Sequence, residues 1–364
     1  MSLSPRPRPR RRLPALLAAC GLVLGLAACG GGPATPRAPV PAADAPRTFD
    51  LEAHRGGAGL TVESTLAAFG HALSLGVTTL ELDTQITRDG RAVVTHDPAV
   101  DGRKCRDTAP ATPGDPAYPY VGKHVNTLRL AQVRTLDCGS RTLPSFPGQK
   151  ASPGARMPLL SEVFALARSR SAGSVRFNIE TKISADVPSE TASAEQFVRV
   201  LAADIRTAGV GDRVSIESFD WGSLMLMKKV SPELPLVALT DRKNLEVGRP
   251  GASPWLGGID IDDFGGDVVR AASSFGADAV SPVHGSPSSS TVDDPSYRPY
   301  VTAAMVGSAH RLGIKVIPWT VDDEPTMRAM LADGVDGLIT NYPDRLRRVL
   351  QERGLPLPTR YAAS

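Results

Sequence analysis

A chain of 364 residues, 41% of them apolar, can bury a substantial core and accommodates one large α/β barrel or two ordinary domains. Its formal charge of +3 includes Arg6, Arg8, Arg10, Arg11 and Arg12; without these five the balance is −2. Nothing in a near-neutral chain of this kind suggests nucleic-acid binding, and no nucleic acid is expected as a partner.

The N-terminus reads as an export signal over residues 1–28. A basic stretch at 6–12 precedes an apolar run at 13–28 that ends in small residues. The run is short for a membrane span and carries Pro14 and Gly21. Leu26-Ala27-Ala28-Cys29 resembles the lipobox of bacterial lipoproteins, in which the cysteine is lipidated and becomes N-terminal. Leu17-Ala18-Ala19-Cys20 also fits that pattern but leaves a shorter apolar region, and an ordinary signal with a chance cysteine is the alternative. Residues 29–47, rich in Gly, Pro and Ala, read as a flexible tether. The expectation is an exported protein, lipid-anchored through Cys29 at the extracytoplasmic face of the cell membrane.

From residue 48 onward, strand-like and helix-like segments alternate. Strands are predicted over 49–54, 79–85, 92–96, 175–180, 214–218, 234–240, 279–281 and 315–320, with a ninth candidate over 335–340. Helices are predicted over 64–75, 161–169, 194–208, 222–230, 301–311 and 324–333. The alternation predicts an α/β fold, a distorted (β/α)8 TIM barrel over 48–352 with a C-terminal tail at 353–364. Residues 87–91 are too few for a helical crossover, so a turn is expected between the second and third strands. A long insertion after the third strand, 97–158, holds Cys105 and Cys138. In an exported domain these two are expected to form a disulfide worth about 3–4 kcal/mol, with two free thiols as the alternative. The insertion reads either as a pinned cap beside the mouth of the barrel or as a surface addition.

Glu81 and Asp83 lie two apart on one strand and therefore share a face. Two carboxylates there repel unless a cation lies between them. Glu180, ending a later strand, can complete the set, with Lys182 on the same face. All-oxygen ligands suit Ca²⁺ or Mg²⁺. His54 and His96 both end apolar strands, and imidazole moves protons near neutral pH. Arg55 offers a planar fork for phosphate oxygens. Trp319 can wall the pocket, and His284 can reach its mouth; His71, His124 and His310 read as surface or packing residues.

In order along the chain stand His54-Arg55-Gly56, Val62-Glu63-Ser64-Thr65-Leu66-Ala67-Ala68-Phe69, Glu81-Leu82-Asp83, Asp89-Gly90 and His96-Asp97. Asn178-Ile179-Glu180-Thr181-Lys182, Ser218-Phe219, Trp319-Thr320-Val321 and Asp336-Gly337-Leu338-Ile339-Thr340 follow. This ordered set resembles the glycerophosphodiester phosphodiesterases, in the superfamily that includes phosphatidylinositol-specific phospholipases C. The resemblance implies a distorted barrel with an insertion after the third strand and His54 and His96 as acid/base catalysts. It also implies Glu81, Asp83 and Glu180 as ligands of one Ca²⁺ or Mg²⁺, with Arg55 and Lys182 on the phosphate. Three positions depart from the family pattern: Val62-Glu63-Ser64-Thr65 replaces Pro-Glu-Asn-Thr, Asp322 stands where Asn follows Trp-Thr-Val, and Glu217 precedes Ser218 in place of an uncharged residue.

The expected function is metal-dependent hydrolysis of small glycerophosphodiesters, such as glycerophosphocholine or glycerophosphoethanolamine, to glycerol 3-phosphate and an alcohol. A phospholipase acting on intact lipids and a non-catalytic surface binding lipoprotein are the alternatives.

Overall fold

The computed structural model describes residues 48–362. The expected signal, Cys20, Cys29 and the tether lie outside the described residues. Eleven strands are present among the described residues. They are β1 (Asp50–Ala53), β2 (Thr79–Ile86), β3 (Ala92–Val94), β4 (Arg176–Thr181), β5 (Val214–Ser218), β6 (Leu236–Thr240), β7 (Ala279–Pro282), β8 (Gly285–Ser286), β9 (Arg298–Pro299), β10 (Lys315–Val316) and β11 (Gly337–Thr340). Eight run parallel in the order β10-β7-β6-β5-β4-β2-β1-β11, and β8 and β9 form a separate short hairpin.

The two ends of the eight-strand path meet. Asp336 N donates to Val316 O at 2.9 Å, Ile339 N to Pro318 O at 3.0 Å, and Val321 N to Ile339 O at 3.0 Å. The sheet thereby curls into a nearly closed barrel wrapped by helices. β10 is shorter than the predicted strand because Pro318 brings no N–H to the ladder.

The ninth candidate, 335–340, takes a barrel place as β11, and the strand left off the eight-strand path is β3, which folds back antiparallel onto the upper half of β2, pairing Thr84 with Val94 and Ile86 with Ala92. A turn joins the two, as expected: Gly90 takes φ +72° and Thr87 Oγ1 donates to Asp89 Oδ1 at 2.7 Å.

Helix ends follow local chemistry. The helix Ala194–Ala208 starts on a reciprocal capping box between Ser193 and Gln196 and stops at Gly209 in the left-handed region. The helix predicted from residue 64 instead begins at Leu66, because Thr65 caps it and Ser64 sits at φ +56°. Apolar stripes of these helices and the outer faces of the strands form one continuous core, in which Trp221, Phe69, Phe177 and Phe197 are fully buried. The barrel interior is more polar. Asn178 Nδ2 donates to Glu52 Oε2 at 3.0 Å and to Glu217 Oε2 at 2.6 Å.

Residues 97–158 have a core of their own, built on Val100, Tyr120, Val125, Leu128, Val133 and Leu136. Cys105 and Cys138 are joined in a disulfide. Beside it, Arg106 and Asp137 exchange both backbone hydrogen bonds, at 2.9 and 3.0 Å. The segment seats on the loop after β1: Lys150 N donates to Leu60 O at 2.9 Å, and Gln149 Nε2 to Ala58 O at 2.7 Å. It therefore borders the C-terminal end of the barrel, on the side of β1.

Candidate active site at the C-terminal end of the barrel

Strand register assembles the acidic cluster. In the parallel ladder Asp83 is opposite Glu180 and Glu180 is opposite Glu217, while Glu81 shares the face of Asp83 two residues earlier. Ligand oxygens of Glu81, Asp83 and Glu180 lie within 4.8 Å of one another, and all three side chains are buried. Burial and the neighbouring Asp83 charge raise Glu81 well above the usual carboxylate range. Burial, opposed by the Lys182 ammonium and aided by Asp83, pushes Glu180 up to about 8. Asp83 goes the other way: burial raises it, but the Arg55 guanidinium beside it holds it low. Arg55 Nε stands 3.2 Å from Asp83 Oδ2, yet that buried oxygen makes no hydrogen bond. Three clustered carboxylates, two of them forced towards neutrality and one with an orphaned oxygen, form a donor set that fits a divalent cation.

Two imidazoles face this cluster. The backbone turns sharply after β1: Arg55 takes φ +53° and Gly56 φ +82°, and Arg55 N donates to Glu81 Oε2 at 2.7 Å. His54 Nδ1 lies 2.7 Å from Asn341 Oδ1, and His54 Nε2 lies 3.9 Å from Glu81 Oε2. His96 Nδ1 lies 2.9 Å from Asp97 Oδ1. Burial, then the Arg55 charge, lowers His54 to about 3; burial, then Lys182 and Arg55, lowers His96 to about 4. In each ring Nδ1 is held by an oxygen, which leaves Nε2 facing the pocket.

Arg55 reaches Glu63 Oε1 at 3.1 Å, and Lys182 Nζ lies 3.0 Å from Glu180 Oε1. The pocket between these groups is lined by His54, Arg55, His96, Lys182, Phe219 and Trp319. The rings of Phe219 and Trp319 meet edge to face with centroids 5.4 Å apart, forming an apolar wall, and Lys182 Nζ lies 5.6 Å over the Phe219 ring. Such a pocket can neutralise a phosphate on one side, seat an aliphatic alcohol on the other and move protons at both ends of the phosphodiester.

Residues 54–345 match the model of the glycerophosphoryl diester phosphodiesterase family, over most of the chain. The chain belongs to this family of phosphodiester hydrolases. A glycerophosphodiester phosphodiesterase of Caldanaerobacter subterraneus subsp. tengcongensis is 28% identical over 305 residues, covering 83% of this chain and 98% of that protein. The solved structure of a protein named as a glycerophosphoryl diester phosphodiesterase of Silicibacter pomeroyi is 28% identical with a TM-score of 0.68, covering 85% of this chain and 96% of that one. A phosphodiesterase of Oleispira antarctica, solved with its product sn-glycerol 3-phosphate, shares the fold at 17% identity and a TM-score of 0.59, with coverage of 83% and 96%.

On this phosphodiesterase scaffold, His54, Arg55, Glu81, Asp83, His96, Glu180, Lys182 and Trp319 all come together in one site. His284 does not join them. It is buried, with Nδ1 3.0 Å from Tyr297 Oη and Nε2 3.1 Å from Ser288 O, so both ring nitrogens serve the fold. His124 and His310 are likewise engaged elsewhere, with Glu190 O and Asp336 Oδ2. Sequence reasoning passed over Asn341, Asp97, Glu63 and Lys104, which hold the catalytic candidates in place. For Asp97 a signal existed, its position directly after His96; for Asn341, only its place just past the last strand pointed to the mouth.

Proposed function

We propose that this phosphodiesterase hydrolyses small glycerophosphodiesters, of the glycerophosphocholine and glycerophosphoethanolamine kind, to glycerol 3-phosphate and an alcohol, and that it requires Ca²⁺ or Mg²⁺. The observation that carries the reading is the convergence of two oxygen-backed imidazoles on a buried acidic trio. When bound by Glu81, Asp83 and Glu180, a divalent cation supplies positive charge against the phosphate and acidity for the attacking hydroxyl. Arg55 and Lys182 bind the remaining phosphate oxygens, and Phe219 and Trp319 pack against the alcohol carbons. His54 Nε2 takes the proton of the nucleophile, which is water or the substrate's own glycerol 2-hydroxyl. His96, whose Nδ1–H faces a carboxylate instead of an amide, holds a proton at lower cost and delivers it to the leaving oxygen. The reading also has the enzyme exported and anchored through Cys29, on the strength of the N-terminal sequence.

The test is phosphodiester hydrolysis against a panel of headgroups, with metal removed by chelation and then restored. Release of glycerol 3-phosphate that stops on chelation and returns with Ca²⁺ or Mg²⁺ supports the reading. Turnover confined to intact phosphatidylcholine or phosphatidylinositol moves the assignment to a phospholipase, and no turnover of any diester leaves a binding lipoprotein.

A further inference from the structure

Lys104 belongs to the inserted segment, yet its ammonium ends beside the catalytic machinery. Nζ lies 2.6 Å from Asp97 Oδ2 and 2.9 Å from Glu63 Oε1. The other oxygen of Asp97 receives His96 Nδ1–H, and the same Glu63 oxygen accepts from Arg55. One cation therefore ties together the carboxylate behind the second imidazole and the carboxylate behind the phosphate-facing guanidinium. The Lys104 side chain is 17% exposed and that of Glu63 7%, so water screens these contacts weakly.

The backbone that carries Lys104 is itself held. Lys104 N and Cys105 N both donate to Asp101 O, at 3.0 and 2.8 Å, and Cys105 is bonded to Cys138 across 33 residues. The paired backbones of Arg106 and Asp137 continue the same crosslink. The bridge is the covalent crosslink between the turn at 101–105 and the chain around Cys138.

We propose that Lys104 is a positioning residue for phosphodiester hydrolysis, and that the Cys105–Cys138 disulfide is the strut that keeps it between Asp97 and Glu63. Lys104 does not line the pocket between the imidazoles, and its ammonium bonds Asp97 and Glu63; it acts through Asp97 on His96 and through Glu63 on Arg55. Although Glu63 keeps its pairing with Arg55, removing the Lys104 charge leaves Asp97 and Glu63 facing each other with no cation between them. They move apart, and His96 loses the fixed acceptor that sets its tautomer. This inference rests on the roles given to His96 and Arg55 above.

The experiment compares wild type, K104M, K104R, D97N, K104M/D97N and C105A/C138A in the full chain. Two substrates are used: glycerophosphocholine, whose alkoxide leaving group needs a proton, and the p-nitrophenyl ester of glycerol 3-phosphate, whose leaving group does not. K104M is expected to lower kcat on glycerophosphocholine by about tenfold to a hundredfold, the usual cost of losing an outer support, and to affect the p-nitrophenyl ester far less. K104R restores most of the loss, and K104M/D97N is no worse than the more damaged single variant. C105A/C138A shifts kcat in the same direction and with the same leaving-group bias. Equal losses on both substrates, additive losses in the double variant, or wild-type kcat in K104M overturn the proposal. Should K104M fail to fold, the leaving-group bias of C105A/C138A and D97N decides the matter by the same criteria. Wild-type protein inactive on both substrates would instead overturn the functional reading beneath it.

Discussion

Asn341 Oδ1 lies 2.7 Å from His54 Nδ1, and the amide is locked in that orientation from behind by Asp322. A carboxylate only accepts, so Asn341 Nδ2 must face Asp322 Oδ2, at 2.8 Å, which turns the amide oxygen towards the imidazole. Backbone N of Asn341 adds a second bond to Asp322 Oδ1 at 2.9 Å. His54 is thereby held with its proton on Nδ1, which leaves Nε2 for the role proposed above. Asn341→Ala is expected to lower kcat by about tenfold to a hundredfold with little change in KM, and His54→Ala by at least about a hundredfold. Steady-state kinetics on folded variants measures both; wild-type kcat in Asn341→Ala would show that the tautomer needs no amide.

Cation binding should release protons. In the metal-free protein burial pushes Glu180 up to about 8, so at pH 7 the group is mostly protonated, and Glu81 is shifted in the same direction. A cation ligand must give up that proton. Calorimetric titration with Mg²⁺ or Ca²⁺ at pH 7, in two buffers of different ionisation enthalpy, is expected to report release of about one proton or more per ion. The release should shrink towards pH 9. Heats independent of the buffer would mean that the carboxylates are already ionised.

The insertion should loosen in acid. Asp137 is buried and accepts from Gly139 N, Ser140 N and Ser140 Oγ, and it pairs with Arg106. Burial alone would raise the group, but these donors hold it well below the ordinary carboxylate range. A carboxylate depressed in the folded state stabilises fully above its unfolded pKa, and the contribution fades as pH falls through that value towards the folded one. Asp137→Asn is expected to cost about 2 kcal/mol at pH 7, with the gap to wild type narrowing progressively as pH falls below about 4. Hydrogen exchange of the backbone around 105–138 checks both the size and the direction.

Gly56 cannot accept a side chain. It sits at φ +82°, and an added Cβ would lie 2.9 Å from backbone atoms of Ala68 and Phe69. Gly56→Ala must displace either the start of the helix Leu66–Leu75 or the turn that presents His54 and Arg55. A stability loss of about 1–3 kcal/mol is expected from the strained conformation, together with a fall in kcat/KM, because both site residues precede the strained position directly. A thermal melt alongside kinetics separates the two effects; unchanged values in both would refute the constraint.

Much of the site is visible in the sequence because its residues obey strand periodicity. Glu81 and Asp83 alternate on one apolar strand, and His54 and His96 follow apolar runs, so local pattern alone sets each side chain at a strand end or on one face. Supports contributed by distant chain carry no such mark. His54 and Asn341 are 287 residues apart, and Glu63 and Lys104 are separated by 41. Only the closed barrel and the seated insertion bring them into contact. The helix Val268–Ser274 escaped notice because seven residues give too little periodicity. Pro343–Glu352 escaped because its buried stripe is narrow, carried by Leu346, Val349 and Leu350 among charged neighbours.

The pairing of Asp83 with Glu180 and of Glu180 with Glu217 has a consequence for how the molecule matures. Side chains alternate along a strand, so a slip of one residue between β2 and β4 would rotate Glu180 out of the interior and break up the trio. Correct ion affinity therefore certifies correct strand alignment. A refolding chain is expected to gain the affinity for a divalent cation proposed above only once those neighbours have settled into place, and time-resolved ion uptake would then be a clock for that late step of assembly.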